Sequence, residues 1–155
     1  MSYAVKNASP GSRELIAFRI GDQEFCVDIM SVREIRGWTP ATPLPHAPSY
    51  VMGVINLRGA VLPIIGLSAR LGMKDVDPGE RHVFIVGQVR SRIVGLLVEA
   101  VSDILTITDD NIQPVPEVSS ELEKQYARGI LAIDKRMICM IDLDAFFPEE
   151  ESIAA

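Results

Sequence analysis

The chain repeats itself, and this constrains its fold more than any other feature. Gly53–Leu67, GVINLRGAVLPIIGL, aligns without a gap onto Gly129–Leu143, GILAIDKRMICMIDL, at an offset of 76. Gly53/Gly129, Ile65/Ile141 and Leu67/Leu143 are identical, and positions 54, 55, 57, 61, 62 and 64 are apolar in both copies. Upstream, Val32-Arg33-Glu34-Ile35 matches Val101-Ser102-Asp103-Ile104 at an offset of 69, and Leu15–Phe18 matches Val83–Val86 at 68. Blocks that align in the same order imply two related units, with seven extra residues in the second between Val101 and Gly129. A unit of about 50–60 residues is marginal alone, so two sharing an apolar interface are steadier.

Within each unit the apolar segments are short and β-prone. Leu15–Ile20, the turn pair Gly21-Asp22 and Phe25–Val27 read as a hairpin. Val51–Ile55 and Val61–Ile65 flank the polar tip Asn56-Leu57-Arg58-Gly59, and Val83–Val86 and Ile93–Val98 flank Arg90-Ser91. Met137–Ile141 is a final core strand. Thr39–Pro48 holds four prolines and must be an extended connection. Thr106–Pro116 reads as a second connection. Helices are few: Leu67–Leu71 before Gly72, Ser120–Arg128 with Ser120 and Glu123 at capping-box spacing, and Asp142–Phe147. A parallel α/β sheet would need helices of about 10–15 residues, which are missing. The expected fold is all-β, two packed barrels with short helices. The expected layout is a flexible tail 1–13, a first unit 14–80, a second unit 81–147 and an acidic tail 148–155.

The hairpin tips differ where the staves agree: Asn56-Leu57-Arg58-Gly59 against Ala132-Ile133-Asp134-Lys135. Barrel formation alone does not demand the first tip. Charge also divides the chain. Residues 1–98 carry 11 basic and 8 acidic side chains, a balance of +3, and residues 99–155 carry 4 and 13, a balance of −9. These are either two solvated surfaces or faces that meet partners of different charge. The net charge of −6 and 6% aromatic content argue against nucleic acid, which wants a basic groove and stacking rings.

Cys26 and Cys139 lie in separate apolar runs without C-x-x-C spacing, so both read as reduced core thiols of a cytosolic protein. No apolar run approaches the ~20 residues of a membrane helix, and Met1–Arg13 lacks the apolar core of a secretion signal. No nucleotide-loop, zinc-helix or serine-elbow motif occurs. Asp75-x-Asp77 and Asp142-x-Asp144 lack the glycine and distal glutamate of a calcium loop. The chain is expected to be no enzyme and to need no cofactor or metal.

Four blocks stand out: Glu24-Phe25-Cys26-Val27-Asp28-Ile29, Val32-x-Glu34-Ile35-Arg36-Gly37-Trp38, Gly53-Val54-Ile55-Asn56-Leu57-Arg58-Gly59 and Val101-Ser102-Asp103-Ile104. Together, in this order and spacing, they resemble the CheW family of bacterial chemotaxis coupling proteins. The likeness runs from about Glu14 to Phe147. Where the family often has Asp before the leucine that ends the Gly53–Leu67 segment, this chain has Gly66. The resemblance implies two SH3-like, five-stranded barrels. It implies an adaptor that couples the cytoplasmic tip helices of chemoreceptors to the regulatory domain of the histidine kinase CheA. Such an adaptor is cytoplasmic and reaches membrane receptor arrays through its partners. An alternative is a CheW-type scaffold serving a CheA-like kinase of a non-flagellar chemosensory pathway. Carried over by position, Val32, Glu34, Arg58 and Ile104 match receptor-coupling places and Gly53 a kinase-binding place. Taken as residues alone, Glu34 and Arg58 are either plain exposed charges or, for an Arg at a hairpin tip, a fork that can bond a carboxylate on a partner helix. Val32 and Ile104 are either core or groove lining, Gly53 serves the backbone, and Trp38 is either a rim anchor or a cover.

Overall fold

The computed structural model describes residues 11–73, 78–117 and 119–146. Residues 1–10 of the N-terminal tail, Asp75 and Asp77, and the 148–155 tail lie outside the described residues. The strands are β1 (Ser12–Ile20), β2 (Gln23–Asp28), β3 (Val32–Gly37), β4 (Val51–Leu57), β5 (Ala60–Gly66), β6 (Val83–Val89), β7 (Arg92–Val98), β8 (Ala100–Thr108), β9 (Ile112–Gln113), β10 (Ala127–Ile133) and β11 (Arg136–Ile141). The helices are α1 (Leu67–Arg70), α2 (Glu121–Tyr126) and α3 (Leu143–Phe146).

The hairpins close through two-residue turns, and Gly21, Arg58, Gly59, Arg90, Asp134 and Lys135 all have positive φ. Mirror-image turns of this kind match the right-handed twist of the strands they join. The helices start as their sequences require. Ser120 accepts a hydrogen bond from the Glu123 N–H at 3.1 Å, and Asp142 accepts one from the Asp144 N–H at 3.1 Å. Asp142-x-Asp144 is therefore a helix start. Gly66 heads α1 without a side-chain bond. The stretch 106–116 is more regular than expected. β8 runs on to Thr108, and a short 3-10 turn then leads to β9.

Two sheets form, in the orders β8-β1-β2-β11-β10-β9 and β3-β6-β7-β5-β4. Each is the expected five strands, with β9 added to the first. Their membership is not that of the contiguous units 14–80 and 81–147. β1 and β2 lie between β8 and β11, and β6 and β7 lie between β3 and β5. Each sheet thus takes the first hairpin of one repeat and the remaining strands of the other, β3–β5 in one case and β8–β11 in the other. The joins are parallel, β2 with β11 and β5 with β7. The cause is local. Only Glu99 separates β7 from β8. A tight hairpin needs about two loop residues, so the chain runs on into the other sheet. The crossing is tied down by the Glu99 N–H on the Arg19 carbonyl at 3.0 Å and by the Gly21 N–H on the Glu99 carboxylate.

This exchange explains the continuous apolar runs. On β1, Leu15 and Ala17 fill the inner cluster of the six-stranded sheet, while Ile16, Phe18 and Ile20 face the seam between sheets. On β6, Phe84 and Val86 fill the inner cluster of the five-stranded sheet and Ile85 faces the seam. A strand buried on both faces loses polar alternation. The seam cluster is the largest of the three. It draws Phe25 and Ile141 from one sheet and Ile65 and Leu96 from the other.

The exchange also sorts charge. Residues 32–98, which carry the five-stranded sheet, hold 8 basic and 4 acidic side chains. Residues 12–31 and 99–146 together hold 6 and 14. The balance is +4 on one unit and −8 on the other.

Candidate functional site

Arg58 is the first residue of the β4–β5 turn, at φ 50°. Its tip is braced by the Asn56 Oδ1 atom, which accepts the Gly59 N–H at 2.7 Å. From there the guanidinium reaches Glu34 on β3. Nη2 meets Oε1 at 2.5 Å and Nη1 meets Oε2 at 3.5 Å. Arg36 adds a looser contact to Glu34 at 3.8 Å. β3 and β4 are the two edges of the five-stranded sheet. The pair therefore joins edge to edge, as a sheet rolled toward a barrel allows. Arg58 is 66% exposed and Glu34 29%. The bonds from Arg58 hold the Glu34 carboxyl below its ordinary value and hold Arg58 above its own.

Gly53 has a backbone task. It sits at φ +143°, beside a shift of register between β4 and β5. The Thr42 backbone crosses here, exchanging hydrogen bonds of 2.9 Å with Val54 in both directions. A Cβ on Gly53 would collide with the Thr42 carbonyl. Gly129 does the same work in the second repeat, where a Cβ would meet Gln113 O at 2.8 Å.

Val32 and Ile104 are both partly buried and pack against the seam cluster. They lie in different sheets, Val32 on edge strand β3 and Ile104 on edge strand β8. The structure thus brings Glu34 and Arg58 together, keeps Val32 on the same strand, and sets Ile104 across the seam. Trp38 is partly buried against the inner cluster of the five-stranded sheet, which makes it a cover residue.

Several residues stand out that the sequence did not single out. Ile35, the repeat mate of Ile104, pairs with seam residue Ile85 and is 42% exposed. Val61 and Met137, mates at offset 76, are 73% and 66% exposed. Both stand outward from the last hairpin of their repeat. Their positions were already visible as apolar in both copies, but not their exposure. Met30, in the crossing turn Ile29–Ser31, is 75% exposed.

A family model described as the CheW-like domain matches residues 14–151. The chain belongs to the CheW-like family. Among its relatives, the probable chemotaxis protein CheW of Rhizobium etli is 75% identical over 155 residues, covering 100% of both chains. The chemotaxis protein CheW of Rhizobium meliloti is 67% identical with the same coverage. The crystal structure of the scaffolding protein TtCheW from Thermoanaerobacter tengcongensis superposes with a TM-score of 0.82 at 26% identity, covering 92% of this chain and 97% of that one. The all-β, SH3-like CheW fold with short helices is therefore the fold of this chain. Among the described residues no helix is long and apolar enough to cross a membrane.

Proposed function

We propose that this CheW-like protein is a non-enzymatic, cytoplasmic adaptor that couples the tip helices of chemoreceptors to the regulatory domain of a CheA-type histidine kinase. The observation that carries this reading is the open apolar strip on β3. Val32 is partly buried and Ile35 exposed where the sheets meet, and Glu34 stands between them on β3, paired to Arg58 of the β4–β5 turn. An amphipathic receptor helix fits such a strip, with its apolar stripe on Val32, Ile35 and Ile104. Its carboxylates would then compete with Glu34 for the Arg58 fork. The kinase domain would use the hairpin that carries Gly53 and Val61.

The test mixes the protein with a CheA-type kinase and receptor fragments and reads complex formation and kinase activity. The reading expects a folded Arg58→Ala protein to co-sediment less with receptor. Unchanged co-sedimentation overturns it. A protein that ignores flagellar receptors and kinase but assembles with those of a second chemosensory set supports the non-flagellar alternative.

A further inference from the structure

The Glu34–Arg58 pair has a counterpart in the other sheet. The register of β3 against β6 shifts at Arg33, and that of β8 against β1 shifts at Ser102. These bulges fall at the same place in the repeat, since Arg33 aligns with Ser102 at offset 69. Each is followed by an acid and an isoleucine: Glu34-Ile35 in one copy, Asp103-Ile104 in the other. A bulge breaks the ladder and re-aims the side chains beside it. It weakens β3 and β8 alike, because each is an edge strand with a ladder on one side only.

Arg136, the first residue of β11, reaches back across the sheet to this bulge. Its Nε and Nη2 atoms bond the two carboxylate oxygens of Glu24 on β2 at 2.9 and 2.6 Å. Its Nη1 and Nη2 atoms bond Asp103 at 3.0 and 3.2 Å. The bulge residue Ser102 donates its hydroxyl to the same Glu24 at 3.1 Å. One planar guanidinium therefore ties β2, β8 and β11 together, which a lysine's point charge cannot do.

We propose that Arg136 is a positioning residue, clasping the bulged edge strand β8 through Asp103 and so setting where Ile104 stands on the seam. It does for the second repeat what Arg58 does for β3 in the first, but from a more sheltered place, 29% exposed against 66%. The proposal rests on the reading of Ile104 as a partner-facing residue.

The test compares the full-length wild type, Asp103→Asn, Arg136→Ala and Ile104→Ala. It measures amide hydrogen exchange along β7 and β8 and capture of a soluble receptor-tip fragment. Asp103→Asn keeps the side-chain shape and leaves the Glu24 contacts in place, so it decides the matter if Arg136→Ala fails to fold. We expect exchange at residues 101–106 to accelerate about fivefold or more in both clasp variants, with β7 unchanged. Capture of the fragment should fall about three- to tenfold in step. Unchanged exchange in β8 overturns the clasp. Faster exchange with full capture, while Ile104→Ala loses capture, overturns the positioning role. Full capture by Ile104→Ala sinks the partner-facing reading instead, and the exchange data still judge the clasp.

Discussion

A Cβ added to Gly53 would stand 2.6 Å from the carbonyl carbon of Thr42. Backbone cannot yield as a flexible side chain does, and φ +143° disfavours any L side chain besides. Gly53→Ala should therefore destabilise the protein by about 3 kcal/mol or more, a drop in Tm on the order of 10 °C. Gly129→Ala should fall similarly. Thermal unfolding of both checks this. A Gly53→Ala protein with wild-type Tm would show that the Thr42 crossing is not as close as described. Kinase capture measured on the same sample separates a lost contact from a lost fold.

Arg58→Ala should leave the fold intact, because an exposed pair contributes little. Its signature lies in Glu34. The Arg58 fork holds that carboxyl below 4.5. In Arg58→Ala its pKa should rise toward 4.5, with only Arg36 still opposing. A carboxyl-resolved NMR titration reads the shift, and an unmoved Glu34 would mean the pair does not persist in solution.

Glu24 is held below 4.5 chiefly by its bonds to Arg136. A depressed folded pKa stabilises fully above the unfolded value, and that contribution fades as pH falls through the folded one. Above pH 5, Glu24→Gln should therefore lower Tm. The gap to wild type should close on acidification below 4.5. Parallel Tm-against-pH curves for the two proteins would contradict this.

The two thiols should be inert and mutually unreachable. Burial pushes Cys26 and Cys139 up to about 12. Cys26 faces the inner cluster of its sheet with Met140, while Cys139 faces the seam with Phe25, so the pair points to opposite faces. Native protein at pH 8 should label with maleimide only slowly and stay reduced in air, whereas urea should expose both thiols. Intact mass checks both states.

Local elements were legible because their causes are local. The turn pair Gly21-Asp22, the Ser120 cap and the Gly72 stop each lie within a few residues of what they shape. The exchange of hairpins was not. Burial of β1 on both faces shows in its apolar run, yet nothing in that run says that its neighbour is β8. β9 is two residues long and hidden between polar and proline-rich stretches. At the site, Arg58 drew notice by standing in a tip that differs between the copies. Arg136 did not, because its partners lie 112 and 33 residues away in sequence.

Two separate copies of one repeat could build the same arrangement only as a symmetric dimer, each lending its first hairpin to the other. Both ends of such a dimer would carry identical side chains and equal charge. Joining the copies in one chain lifts that restriction. One end can hold +4 and the other −8, one hairpin can end in Arg58-Gly59 and the other in Asp134-Lys135. The molecule acquires a direction, with two ends that differ in charge and in the hairpin tips they present.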